Sequence, residues 1–256
     1  MGSAVFTLET PRRVVSTPFL PSPFTLVLLL GIETATNICS VALLQGMELL
    51  AELSVDEPRS HASQLVPLVQ RVLQDHGKTP ADLDVIAISA GPGSYTGLRI
   101  GASTAKGLAF ATDAALVAVP TLEALAQAAQ AGQPEAEQPV LVVLPSRRDE
   151  VYAAVYIMES DGLAAVREPE AVELADLFGW LPARELRLVW PATQTVLDAT
   201  PDSDRFLVTN ATPSAVHVAK LGLEPFNDGR TQNVASWEPY YLKAFVAKPP
   251  RPIFGA

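Results

Sequence analysis

The sequence predicts an α/β protein of two lobes, each lobe a mixed sheet with the element order β-β-β-α-β-α-β-α. Three observations predict it. Short, nearly continuous apolar runs, such as Leu26 to Glu33 and Val85 to Ser89, read as strands buried on both faces. Three strands open the chain and are followed by strands alternating with helical patterns, the signature of helices laid on a sheet. The second half then begins again with three strand-like runs before alternating, a repeat of element order without a repeat of sequence.

Each element has a local reason. Leu26 to Glu33 is the first strand, and Thr34-Ala35-Thr36-Asn37 is a polar turn. Cys39 to Leu44 is a second strand, Gln45-Gly46 turns the chain, and Glu48 to Val55 alternates as a third, giving an antiparallel meander. After the polar break Asp56 to Ser60, the stretch His61 to Leu73 carries Leu65, Leu68, Val69, Val72 and Leu73 at helical spacing. Pro67 within it is either a kink or an early turn. The strand Asp84 to Ser89 runs into a glycine-rich turn, Ala90 to Gly97, and an Ala- and Gly-rich helix runs out of it to Ala111. Ala115 to Val119 is a strand, Pro120 opens a helix through Ala131, and residues 131–139 form a flexible linker. In the second half Val140 to Leu144, Glu150 to Met158 and Ala164 to Arg167 are strand-like. Leu174 to Trp180 is helical, Leu186 to Trp190 and Arg205 to Val208 are strands, and Pro213 to Leu221 is helical. The domain reading is therefore a first lobe over 26–131, a second over 132–232, and a locally basic tail over 233–256. Residues 1–25, punctuated by four prolines and without a period, read as a disordered extension; an upstream start-codon assignment is one origin for it. No small-residue cleavage site follows the short apolar run, which argues against an export signal.

Bulk properties narrow the function classes. The 256 residues are 48% hydrophobic and 18% charged, as in a globular protein. A net charge of −10 makes the chain a poor lone binder of nucleic acid, whose affinity comes mostly from phosphate neutralisation. The single cysteine, Cys39, allows no disulfide framework and no cysteine zinc site, in keeping with a reducing cytoplasm. His61, His76 and His217 form neither H-E-x-x-H nor H-x-x-x-H, so no histidine-pair metal site is expected.

Two features carry candidate sites. The first is the glycine turn. Gly91, Gly93, Ser94 and Thr96, together with Glu33 and Thr34 at the end of the first strand, are the nucleotide or phosphate candidates. Successive N–H groups at a helix N-terminus suit an anion. Yet no Lys follows Gly97 as a Walker loop requires, and the glycine spacing misses the dinucleotide fingerprint. The other reading is a tight strand-to-helix turn packed against a neighbour. Glu33 likewise either orients water or Mg²⁺ or caps its own turn. The second feature is a stripe without bulk, Gly97, Gly101, Ala105 and Ala109, recurring at i+4. It serves close packing within the lobe or a helix–helix interface with another subunit. His61, at a helix start, reads as structural rather than catalytic.

Several motifs resemble those of one family. Ile32-Glu33-Thr34-Ala35-Thr36 followed by Cys39-Ser40-Val41-Ala42-Leu43, the helix start His61 to Pro67, the signature Gly91 to Gly101, Arg147 to Tyr152, and Glu238 to Lys243 resemble the patterns of the TsaB (YeaZ) family, within the actin/Hsp70/sugar-kinase superfamily. Glu33 stands where that pattern has Asp, and Pro145-Ser146 where it has Asp-Ala. The resemblance implies a two-lobed actin-like (ribonuclease H-like) ATPase fold. It implies a non-catalytic subunit in the synthesis of threonylcarbamoyladenosine (t6A) at position 37 of tRNA, paired with and activating the catalytic homologue TsaD. TsaD carries an H-x-x-x-H metal motif, whereas Leu65 stands four residues after His61 here. By the same resemblance the partner interface lies on the two helices of the first lobe, for which His61, Leu65, Leu68, Gly97, Gly101, Ala105 and Ala109 are the candidates. It further implies homodimers in isolation, a TsaE homologue joining the heterodimer, tRNA reached only through the complex, and ATP or ADP with Mg²⁺ at the junction rather than an intrinsic cofactor. No catalytic residue and no metal ligand are expected, and no membrane. The alternative is an independent ATP-dependent small-molecule kinase of the same superfamily, though no glycine-rich adenosine loop follows residue 180. A peptidase is disfavoured, since local spacing supports neither a metal pair nor a Ser-His-Asp set.

Overall fold

A computed structural model describes residues 26–57, 59–133, 137–146, 149–160, 162–183, 185–189, 196–198, 203–209 and 211–242. The expected extension over 1–25, part of the linker over 131–139 and the tail from 243 lie outside the described residues.

The first sheet is built from β1 (Leu28–Glu33), β2 (Ile38–Gln45), β3 (Glu48–Asp56), β4 (Val85–Ser89) and β5 (Ala115–Val119) in the order β3-β2-β1-β4-β5. The meander β1-β2-β3 is antiparallel, and β1, β4 and β5 run parallel. The central strands β1 and β4 are buried along their whole length, as their unbroken apolar runs require. On one face lie α1 (His61–Gln74) and α2 (Tyr95–Thr112), with Leu65, Val69, Val72, Leu73, Ala105 and Ala109 packed on Leu30, Ile32, Ile86 and Ile88. Pro67 stays inside α1, on its exposed side.

The second sheet follows the order β10-β9-β6-β7-β8, from β6 (Val140–Pro145), β7 (Glu150–Glu159), β8 (Gly162–Glu173), β9 (Leu186–Val189) and β10 (Phe206–Thr209). Again an antiparallel meander, β6-β7-β8, adjoins parallel strands. With α3 (Thr121–Gly132), α4 (Leu174–Trp180) and α5 (Ala215–Asn227), the chain has the two-lobed actin-like architecture that the element order predicts.

The lobes exchange helices, which moves the boundaries expected from sequence. The helix α3, assigned to the first lobe, lays Leu122, Leu125, Ala126 and Ala129 on Val140, Val142, Leu144 and Ala154 of the second sheet. The helix α5, assigned to the second, packs Ala215, Val218 and Ala219 on Leu29, Val85, Ala87 and Val117 of the first. Chain order cannot show this, because an apolar helix face fits either sheet. Close approach fixes the docking of α5: a Cβ on Gly222 would stand 2.6 Å from Ala87 Cβ. Its N-terminus is held by Ser214, whose hydroxyl accepts from Val216 N–H (3.1 Å) and donates to Glu52 on β3 (2.8 Å), and by Ser40, whose hydroxyl also donates to Glu52 (2.6 Å).

Two elements are longer than the sequence suggests. The strand expected over 164–167 extends to twelve residues, because β8 is an edge strand where Pro169 needs no ladder partner and polar residues face outward. The helix expected to end at Leu221 continues to Asn227, with Pro225 in its last turn.

Candidate functional site

The adjacent parallel strands β1 and β4 bring their carboxyl ends side by side, so the β1–β2 turn and the glycine turn meet. This is where ligands bind in open α/β sheets. Here the two turns fill the position with each other. Ser94 N–H donates to Ala35 O at 2.7 Å, and a Cβ on Gly93 would collide with that same carbonyl. A Cβ on Gly97 would collide with Thr34 O, and one on Gly101 with the Thr34 hydroxyl. The glycines are thus needed for contact between the turns.

The N–H groups of this site are largely committed within the chain. Thr34 N–H donates to Ser89 Oγ (3.3 Å), Ala35 N–H to Glu33 Oε1 (2.6 Å), Gly91 N–H to Thr121 Oγ1 (3.0 Å) and Gly97 N–H to the N-cap Ser94 Oγ (3.2 Å). Gly91 has φ +110°, and a Cβ there would collide with Tyr240 O, because the C-terminal segment crosses the turn and Tyr240 N–H donates to Ala90 O at 2.7 Å. Of the nucleotide candidates, Glu33, Thr34 and Gly91 are buried, Gly93 is half-buried, and Ser94 and Thr96 are exposed.

Glu33 has the geometry of a turn cap. Its carboxylate accepts from the N–H groups of Ala35 and Thr36 and from the Ser89 hydroxyl. Burial outweighs these bonds and raises its pKa from 4.5 to about 7.

The candidate interface residues require a correction. His61, Leu65, Gly97, Gly101, Ala105 and Ala109 are buried within the lobe, and Leu68 is half-buried. The bulk-free stripe lets α2 lie close to Thr34 and β4; of the two readings of the stripe, internal packing holds. The exposed surface of the same helices lies on their other side. There a groove of about 440 Å³ between α1 and α2 is lined by Val66, Val69, Leu73, Thr104, Gly107 and Leu108. Val66 is 47% exposed, and Phe110, on the outer side of α2, is 83% exposed. The candidate residues therefore face the lobe's own core, Leu68 in part excepted, while Val66 and Phe110 mark the exposed faces of α1 and α2.

His61 is buried at the start of α1, and Leu65, four residues on, is a core residue. Among the described residues no group of three or more His, Cys, Asp or Glu side chains is placed to hold a metal. No described helix is long and apolar enough to cross a membrane.

Known proteins resemble the chain along most of its length. The chain is 32% identical over 225 residues to the tRNA threonylcarbamoyladenosine biosynthesis protein TsaB of Escherichia coli, covering 86% of this chain and 96% of that protein. The chain belongs to the TsaB family. TsaB of Bacillus subtilis is 31% identical over 169 residues, 66% of this chain and 72% of that protein. The solved structure of YeaZ from Pseudomonas aeruginosa superposes with a TM-score of 0.72 at 27% identity, covering 84% of this chain and all of that one. The family model described as TsaD, tRNA N6-adenosine threonylcarbamoyltransferase, matches residues 55–201. This TsaB-family chain therefore also shares sequence with the family described as TsaD over residues 55–201.

Proposed function

We propose that this chain is the non-catalytic subunit of a cytoplasmic complex that installs threonylcarbamoyl on adenosine 37 of tRNA. In it the chain pairs with and activates a TsaD homologue. The observation that carries this reading is the near full-length likeness to TsaB. Two features of the structure support it. Gly91, Ser94 and Gly97 of the glycine turn donate their N–H groups to their own chain. The groove between α1 and α2 offers an apolar surface for another chain. The pairing surface is this outer groove, with Val66 at its rim, and in isolation a second copy of the chain occupies it. A TsaE homologue joins the heterodimer, ATP or ADP with Mg²⁺ binds at the junction, and tRNA is reached through the assembly.

The test is light scattering on the chain alone and mixed with the TsaD homologue of the same cell. A 1:1 heterodimer replacing the homodimer is expected. Val66→Asp should weaken pairing by ten- to a hundredfold, since burying such a side chain is worth ~1.5–3 kcal/mol. It should leave the melting temperature unchanged, because Val66 is exposed in the free chain. No complex, together with ATP turnover by the isolated chain, would replace this reading with the kinase-like one.

A further inference from the structure

The helices α1 and α2 differ in charge from the rest of the molecule. The chain holds 28 Asp and Glu and a net charge of −10, yet none of these acids lies in the 14 residues of α1 or the 18 of α2. The same two helices carry the cations Arg71, Arg99 and Lys106. Helix formation does not demand this. Glu is as good a helix former as Gln or Lys. An acid in the first turn would favour either helix, and neither has one.

The acid-free surface coincides with the groove. Lys78 lines it beside Gln70 and Gln74. On α2 the exposed residues Arg99, Ser103, Gly107 and Phe110 follow one another at steps of three and four, so they share one face, with Arg99 one turn before Ser103. The nearby acids are already engaged. The Asp75 carboxylate lies 3.5 Å from Arg71 Nε, and that of Asp82 accepts from the Thr79 N–H (2.7 Å) and hydroxyl (2.8 Å). Lys106 is engaged too, donating to the carbonyls of Ala235 (3.2 Å) and Trp237 (2.9 Å). Lys78 and Arg99 make no ion pair among the described residues. The face is thus apolar at Val66, Leu108 and Phe110 and cationic at Lys78 and Arg99. Exposed apolar side chains mark a protein partner, and complementary charge selects which one.

We propose that this face selects a partner surface that is apolar at its centre and rimmed by carboxylates. The apolar side chains of a helix of the TsaD homologue enter the groove, and its Asp or Glu residues meet Lys78 and Arg99. A second copy of the chain offers the same acid-free face, so cations meet cations there and two acidic bodies are brought together. The homodimer is therefore the weaker assembly and yields to the heterodimer. The inference rests on the reading of the chain as a pairing subunit and names the chemistry of the partner surface.

The test measures dissociation constants of the homodimer and of the heterodimer with the TsaD homologue, by analytical ultracentrifugation at low and high salt. Lys78→Glu with Arg99→Glu should weaken the heterodimer roughly tenfold at low salt, since two exposed ion pairs give way to two repulsions. The ratio to the parent should approach one near ~1 M salt, where charges are screened beyond ~3 Å. Arg99→Glu alone, at an exposed position, should show the same trend at roughly threefold. The parent homodimer should be weaker than the heterodimer at low salt and should tighten as salt is added. Heterodimers of unchanged affinity in both variants, or a homodimer as tight as the heterodimer at low salt, would overturn the inference and leave the pairing reading standing. A parent chain that forms no heterodimer at all would overturn the pairing reading and the inference with it. Unmodified tRNA bound by the isolated chain and lost in the double variant, with heterodimer affinity unchanged, would make the face a nucleic-acid contact and overturn the inference.

Discussion

Replacing Gly97 with Ala adds one methyl group at a position where the structure leaves no room. The new Cβ would overlap the carbonyl oxygen of Thr34 and lie 3.3 Å from Ser94 Cβ. The obstacle is backbone and cannot rotate away. The turn that carries it is held by Thr34 N–H on Ser89, Ala35 N–H on Glu33 and Ser94 N–H on Ala35 O. Relief must stretch one of these bonds or displace the start of α2. Overpacking of this kind costs about 1–3 kcal/mol. Ala gains about 1 kcal/mol over Gly inside a helix, less in the first turn, where Gly97 sits. The net loss is about 1–2 kcal/mol, and for a chain of this size the melting temperature should fall by roughly 2–8 °C. Gly107 lies on the outer side of the same helix, and a Cβ there would meet nothing within 4 Å. Gly107→Ala should therefore raise the melting temperature by about 2–4 °C. Thermal unfolding followed by circular dichroism on the isolated chain reads both. A Gly97→Ala variant as stable as the parent would refute the claim that glycine is required there for contact between the turns.

Glu33 makes stability depend on pH in a direction opposite to that of a salt-bridged acid. Its pKa is raised from 4.5 to about 7 on folding, so the folded state holds the proton more tightly. The stabilisation is fully present below pH 4.5 and is lost as pH rises through 7, a change of roughly 3 kcal/mol. Urea unfolding of the parent and of Glu33→Gln from pH 5 to 8 should show the difference between the two changing across this window and flat above it; a constant difference would contradict the burial of Glu33. Ser214→Ala removes the cap of α5 and one of two hydroxyls on Glu52, and should cost ~0.5–2 kcal/mol in the same assay. An unchanged urea midpoint would mean that Ala219 and Gly222 dock α5 without its cap.

Much of the site is legible in the sequence, to the level of elements. Alternation and apolar runs placed the strands, and the glycine signature marked the turn on which the first lobe is organised. The facing turn at Glu33 was found because it ends the first buried strand. What the sequence left open was the direction of each group. Gly97, Gly101, Ala105 and Ala109 fit a sheet and a partner helix equally well, since both need an absence of bulk. Thr121 and Tyr240, which accept from or cover the glycine turn, come from two distant segments, and no local pattern links them to Gly91.

The sequence by itself determined the two sheets, their meander openings, the acidic character of the chain and its membership of the TsaB family. These depend on local periodicity, on composition or on a contiguous motif. Tertiary structure alone decided that α3 and α5 cover each other's sheets, that the glycine turn closes on Ala35 and Thr34, and that α1 and α2 turn a groove at Val66 and Leu108 outward. The physical reason is common to all three. Burial and close approach are properties of pairs of surfaces, and the second surface of each pair lies far along the chain.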